Sequence, residues 1–294
     1  MDEFKQILKK YALETDRVLE ELFEDEELYL SETLITSMKY SLFSGGKRLR
    51  PILCRMIAEM LDGDINIALK VGSALEMIHT YSLIHDDLPD MDNDQYRRGK
   101  LTNHCVYGNG IAILAGDGLL TYGFNVLSKL PLSAEKSIKI IELISKSAGL
   151  QGMVGGQVLD LEAENRVLAL EEIEVIHQAK TSALFRAAIL SGAYCCETSW
   201  AELEALETYS LYLGLTFQIV DDILDLEGDE EKLGKKVGSD EKRSKSTYPK
   251  LLGLDKARKE AENAADKAVQ SLEVFGERAN LLRKLVYYIL KRQF

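Results

Sequence analysis

Residues 67–85 read IALKVGSALEMIHTYSLIH, and this stretch decides the fold class. Ile67, Val71, Ala74, Ile78 and Tyr81 follow one another at steps of 4, 3, 4 and 3 residues, the spacing that lines up side chains on one face of an α-helix. Further helices are predicted over about 2–24, 28–43, 50–61, 110–128, 134–158, 171–195, 201–227, 247–271 and 277–291, and strand patterns are scarce. Only Pro51, Pro89, Pro131 and Pro249 interrupt a chain of 294 residues. Few helix breakers among many good helix formers point to an all-α protein. No internal repeat, low-complexity tract or Gly/Ser/Pro-rich linker is visible, so residues 1–294 are read as one all-helical domain. Helical bundles of this size host metal and ligand sites on facing helices.

Lys and Arg number 36 against 48 Asp and Glu, a net charge of −12. That balance argues against nucleic-acid binding, which needs a basic surface to neutralise phosphates. A hydrophobic share of 46% with 29% charged residues is ordinary globular composition. Cys54, Cys105, Cys195 and Cys196 have neither disulfide-framework nor zinc-site spacing, so a reduced, cytoplasmic compartment is expected. The acidic, evenly charged N-terminus does not read as a targeting segment. No uninterrupted apolar run reaches the length of about 18 residues that a membrane span requires.

Two acidic clusters carry the chemistry. HDDLPDMDND, residues 85–94, closes the helix above and places Asp86, Asp87, Asp90, Asp92 and Asp94 around Pro89. Pro89 disfavours helical geometry in the residue before it, so the helix is expected to end near Leu88. QIVDDILDLEGDE, residues 218–230, places Asp221, Asp222 and Asp225 behind a second apolar stretch. Asp221 and Asp225 lie four apart and share a helix face, and a helix C-terminus adds partial negative charge that favours a cation. Only carboxylates are offered, so Mg²⁺ or Mn²⁺ suits these sites better than zinc. Mg²⁺ shares its shell with phosphate oxygens, which predicts a phosphorylated ligand. Basic residues recur beside the acidic ones: Lys47, Arg48 and Arg50 in GGKRLRP, Arg97, Arg98 and Lys100 after the first cluster, and Lys235, Lys236, Lys242, Arg243 and Lys245 after the second. Arg grips phosphate oxygens in a fork and Lys acts as a point charge. Gly152, Gly155 and Gly156 are costly in a helix interior and call for close packing or a kink.

GGKRLRP, SLIHDDLPDMDNDQYRRGKLTNH, GMVGGQVLDLEAE, KTSALFRAAILSGA, FQIVDDILD and KSTYPKLLGL occur in this order. Together they resemble the trans-isoprenyl diphosphate synthases, the polyprenyl synthetase family, most closely its bacterial farnesyl diphosphate synthases. The resemblance implies an all-α bundle around a deep central cavity, usually homodimeric, with both aspartate motifs at its mouth. It implies that isopentenyl diphosphate is joined head to tail to an allylic diphosphate, with three Mg²⁺ ions between the aspartates and the allylic diphosphate. On this resemblance Asp86, Asp92, Asp221 and Asp225 bind metal, with Asp87 and Asp222 lying behind them. Asp90 meets the shorter spacing of the first motif, and its part is open. The resemblance assigns Lys47, Arg50, His79 and Arg98 to isopentenyl diphosphate, and Arg97, Lys235 and Lys245 to the allylic diphosphate. Lys180, Thr181 and Gln218 would line the reacting centre.

Product length should depend on what blocks the cavity beneath Asp86. Tyr81 precedes it by five residues, about 7.5 Å along a helix, and Ser82 by four. An aromatic at the fifth position with the longer motif resembles farnesyl rather than geranylgeranyl diphosphate synthases. Tyr81 also ends the apolar stripe quoted first, so a plain core role stands beside that of cavity floor. A terpene cyclase is disfavoured because DDILD is all aspartate in its acidic positions, and a non-catalytic partner subunit because neither motif has been lost.

Overall fold

In the computed structural model, residues 2–24, 30–164, 166, 168–227 and 246–291 are described. Their order is α1 (Asp2–Leu22), α2 (Glu32–Leu42), α3 (Leu49–Met60), α4 (Ile65–Asp86), a two-residue hairpin of β1 (Tyr96–Arg97) and β2 (Lys100–Leu101), α5 (Asn103–Tyr107), α6 (Asn109–Ser128), α7 (Ala134–Ala148), α8 (Met153–Glu162) and α9 (Leu170–His177). A π-helical turn, Gln178–Ser182, leads into α10 (Ala183–Tyr194). Then come α11 (Trp200–Glu227), α12 (Tyr248–Leu252), α13 (Leu254–Ser271), a 3₁₀ segment (Glu273–Ala279) and α14 (Asn280–Leu290). The fold is an all-α bundle, as expected.

The opening stretch forms α4, the central helix. Asp64 caps it, its carboxylate accepting the N–H groups of Asn66 at 2.8 Å and Ile67 at 3.2 Å. Every residue from Val71 to Ile78 is buried, so the helix is enclosed on all sides and not along one stripe alone. Small residues let its neighbours close in. A Cβ on Gly72 would lie 2.6 Å from Pro51 Cα of α3, and one on Gly123 of α6 would lie 3.1 Å from Ala74 O. The helix ends at Asp86, two residues earlier than Pro89 alone requires.

Helix α6 is long and apolar enough, by length and composition only, to cross a membrane. Ala112, Ala115, Gly116, Leu119 and Gly123 on one side are buried in the core, while Ile113 and Leu114 remain exposed. A second, smaller core of Ile173, Ile176, Ile219, Val220, Ile223, Tyr248 and Ala261 lies under the second acidic motif, and Leu290 packs against both cores.

Three predicted helices are interrupted. The segment 134–158 divides at Gly149 and Gly152, where a Cβ on Gly152 would stand 2.0 Å from Ser147 O. The segment 171–195 contains the π-turn, and 247–271 breaks at Gly253, whose φ of 81° ends α12. The hairpin was not predicted as strand. Its central residues Arg98 and Gly99 have φ of 55° and 76°, the sign that tight two-residue hairpins require.

Candidate active site

The first aspartate motif is folded back on itself by its own backbone. Asp92 N–H donates to Asp86 O at 2.8 Å, and Met91 and Asn93 N–H donate to Leu88 O at 2.9 and 3.0 Å. The four residues between Asp87 and Asp92 therefore form a loop that returns Asp92 to Asp86, whereas Asp90 is exposed. Burial pushes the Asp86 carboxyl up to about 6; Lys180 opposes the rise, and the charges of Asp92 and Asp87 add to it. Asp87 turns away. Arg97 Nε donates to both its oxygens at 2.8 and 2.9 Å, and Nη2 lies 2.6 Å from Oδ1. Arg97 is thus the forked partner of Asp87 in this structure.

The tight hairpin returns Arg98 to the glycine loop before α3. Arg98 Nη1 donates to Gly45 O, and a Cβ on Gly46 would lie 2.7 Å from that nitrogen, so glycine there admits the guanidinium. Arg50 stacks on Phe185 at 5.1 Å, and its buried Nε has no hydrogen-bond partner among the described residues. Burial lowers Arg50 to about 10, with Glu76 opposing and Arg98 adding to the fall. His79 is half-buried and held neutral, lowered by burial first and then by Arg50, Arg98, Arg97 and Arg48. Cationic groups gathered this closely, one with an unused buried donor, fit a phosphorylated anion. Lys47, on the same loop, is exposed. Arg48 departs from its basic neighbours: its Nε, Nη1 and Nη2 donate to Asp16 at 2.8 Å, Glu76 at 3.0 Å and Leu42 O at 2.7 Å.

The π-turn joins the first motif to the second. Lys180 Nζ donates to Asp160 Oδ2 at 2.6 Å and draws down the Asp86 carboxyl from across the site. A Cβ on Gly156 would lie 2.4 Å from Lys180 N, and one on Gly214 of α11 would lie 2.4 Å from Ser182 Oγ. The turn is therefore pressed between α8 and α11, which explains Gly156 of GMVGGQVLD, whereas a Cβ on Gly155 would meet Leu150 O at 2.0 Å. On α11, Asp225 and Gln218 are buried and Asp221 is half-buried. Asp222 faces the residues around the turn: Oδ2 accepts Tyr248 N–H at 3.0 Å, and Oδ1 lies 3.9 Å from His177 Nε2. Thr181 is half-buried on the turn itself. Tyr81 is buried and meets His85 edge-on at 5.5 Å; burial first and Asp86 second raise its hydroxyl. Ser82 Oγ donates to His79 O at 2.8 Å. Lys235 and Lys245 lie outside the described residues.

Among the described residues, no three carboxylate, imidazole or thiol groups converge to hold an ion by themselves. The motifs offer oxygen donors alone, the set that Mg²⁺ accepts when water and phosphate oxygens complete its shell; Mn²⁺ accepts the same set. A cavity of about 530 Å³ between α7, α9, α10, α11 and the π-turn is lined by Lys146, Gln178, Arg186 and Glu207 among others, and holds none of the motif aspartates. Size alone therefore does not mark the site. Sequence reading left Asp160 unassigned and passed over His177 and Tyr248. The signal for His177 was its place three residues before Lys180, one helical turn away.

A family model described as polyprenyl synthetase matches residues 31–284. The chain belongs to this family. Among polyprenyl synthetase relatives, it is 50% identical over 236 residues to a farnesyl diphosphate synthase of Bacillus subtilis, covering 79% of this chain and 80% of that one. It is 44% identical to a geranylgeranyl diphosphate synthase of Cyanophora paradoxa, covering 87% and 86%. The crystal structure of a geranyltransferase from Legionella pneumophila superposes with a TM-score of 0.88 at 33% identity, covering 99% of this chain and 98% of that one.

Proposed function

We propose that this polyprenyl synthetase condenses isopentenyl diphosphate head to tail with dimethylallyl or geranyl diphosphate to give (2E,6E)-farnesyl diphosphate. The observation that carries the reading is the π-turn: Lys180 acts on Asp86 of the first motif, while His177, three residues earlier, stands 3.9 Å from Asp222 of the second. One short segment is thus in electrostatic reach of both motifs, although they are separated by more than a hundred residues of chain.

In this reading Asp86, Asp92, Asp221 and Asp225 hold Mg²⁺, three ions in all, and Lys47, Arg50, His79 and Arg98 hold isopentenyl diphosphate. When bound, Mg²⁺ supplies Lewis-acid neutralisation of the departing allylic diphosphate. Lys180, steadied by Asp160, presents its ammonium to that diphosphate, and the oxygens of Thr181 and Gln218 face the carbon that becomes cationic. Arg97, Lys235 and Lys245 complete the allylic diphosphate site. The departed diphosphate takes the proton lost as the new double bond forms, so no side-chain base is required. A homodimer is proposed, supported by Ile113 and Leu114 left exposed on α6. One domain, supported by Leu290 packing on both cores, and a cytoplasmic setting, supported by four free thiols, complete the proposal.

The test is incubation of the purified chain with Mg²⁺, isopentenyl diphosphate and dimethylallyl or geranyl diphosphate, with chromatographic identification of the prenyl product. A C15 product is expected. A C20 product would shift the reading to geranylgeranyl diphosphate synthesis, and no product would favour a partner-subunit role. In the same assay Tyr81→Met is expected to move most of the product from C15 to C20, on the reading of the Tyr81 ring as the cavity floor below Asp86. An unchanged C15 product would leave Tyr81 as a core residue only.

A further inference from the structure

We propose that His177 and Tyr248 are positioning residues, which through Asp222 fix the second aspartate motif against the turn that carries Lys180 and Thr181. This rests on the reading of Asp221 and Asp225 as the metal-binding carboxylates.

The assembly ties three elements together. Asp222 of α11 has a side chain only 7% exposed, and it accepts Tyr248 N–H at 3.0 Å. The Tyr248 ring stacks on His177 with centroids 5.8 Å apart and planes 27° from parallel, and its hydroxyl donates to Glu174 Oε1 at 3.3 Å. Glu174 and His177 both lie on α9, one turn apart. Tyr248 is also part of the small core with Ile173, Ile176, Ile219, Val220 and Ile223, so the polar contacts are seated on packed apolar side chains.

Helix geometry gives these contacts a consequence for the site. Successive residues of an α-helix point about 100° apart, whereas residues four apart share a face. Holding Asp222 toward His177 and Tyr248 sets the rotation of α11, and so the direction of Asp221 and Asp225. At the other end, His177 is the residue from which the π-turn Gln178–Ser182 departs. A π-turn inserts an extra residue per turn and is rare unless its surroundings hold it. Glycines 156 and 214 press it from two sides, and His177 fixes its start. The pairing His177 to Asp222 therefore links the registers of Lys180 and of the second motif. Outer residues that orient metal-binding carboxylates typically change affinity or activity about ten- to hundredfold when removed.

His177→Leu, His177→Gln and His177→Phe test this. His177→Leu is expected to raise the Mg²⁺ concentration for half-maximal activity about tenfold and to lower kcat at least tenfold. The KM for isopentenyl diphosphate is expected to stay within about twofold, because Lys47, Arg50, His79 and Arg98 lie on other elements. Independently of turnover, the rise in melting temperature on adding Mg²⁺ with inorganic pyrophosphate is expected to be at least halved. His177→Gln, which keeps a donor, is expected to restore most of both effects. Wild-type Mg²⁺ dependence and thermal shift in His177→Leu would overturn the proposal, as would equal losses for every substrate with no rescue by Gln. If His177→Leu does not fold, His177→Phe, which keeps the ring stacked on Tyr248 and removes only the imidazole nitrogens that face Asp222, decides on the same readings: a raised Mg²⁺ requirement supports the proposal and a wild-type one overturns it. A wild-type chain that makes no prenyl product yet shows a thermal shift lost in His177→Leu would sink the catalytic reading and leave the positioning role standing.

Discussion

Asp86→Asn is expected to slow product formation by about 10²- to 10³-fold, the usual loss when one preorganised charge-stabilising group is removed, and to melt at a higher temperature than the wild type at pH 8 without Mg²⁺. Both effects have one cause. Burial, with the charges of Asp92 and Asp87, raises the Asp86 carboxyl from 3.8 to about 6 against the pull of Lys180. The folded chain then binds this proton more firmly than the unfolded chain. Its contribution to stability is fully present below about pH 4 and is lost as pH rises through 6. Above that, ionised Asp86 disfavours the folded state by about 3 kcal/mol. Asn carries no such charge, so the gap in melting temperature should open between pH 4 and 6 and stay open to pH 8. A cation at the motif reverses the balance: Mg²⁺ binding should release a proton near pH 6 and weaken below it. Melting curves of both proteins across this range, with and without Mg²⁺, measure the effect. Parallel pH profiles would show that Asp86 is not the strained group.

Most of the elements around the site were legible in the sequence because each has a local cause. Asp64 and the apolar residues after it make α4, and Pro89 bounds it, although the helix already stops at Asp86. The longer spacing of the first motif was visible, but not its reason, which is the backbone bond from Asp92 to Asp86 O. That bond brings the backbone of Asp92, and not that of Asp90, back to Asp86. Periodicity also failed at the π-turn: an apolar pattern over 171–195 reads as one helix, and a single extra residue per turn hardly disturbs it. The turn is held by contacts from Gly156 and Gly214, distant in the chain, which no local pattern encodes. The glycines themselves were the available clue, since each asks for a close neighbour. For the same reason His177 and Tyr248, which meet across 71 residues (248 − 177), were invisible as a pair. A run of charge does not by itself separate the basic residues of GGKRLRP: Arg48 is enclosed by Asp16, Glu76 and Leu42 O, whereas Arg50 keeps an unused buried donor.

Arg48 is where that division has its largest energetic consequence. Its side chain is 2% exposed and Glu76, its partner at 3.0 Å, is 3% exposed. The backbone of Arg48 is left-handed, with φ of 50°, and its remaining donors reach Asp16 at 2.8 Å and Leu42 O at 2.7 Å. A guanidinium can satisfy three acceptors on separate elements because its donors form a fixed fork. Arg48→Met would keep much of the volume and strand the Glu76 carboxylate in the core. Breaking a buried pair in this way costs about 3–5 kcal/mol, and the melting temperature is expected to fall by roughly 10 °C on the scale of a few degrees per kcal/mol for chains of this size. Arg48→Lys should recover little, since one ammonium cannot span the three acceptors. Glu76→Gln in the Arg48→Met background should recover a substantial part, because it removes the stranded charge. Additive losses in that double variant would mean that Arg48 acts through packing alone. Arg50 follows two residues on along α3 and stacks on Phe185. On the proposed reading of Arg50 as a ligand of isopentenyl diphosphate, the KM for that substrate should rise in Arg48→Met even at temperatures where the chain stays folded.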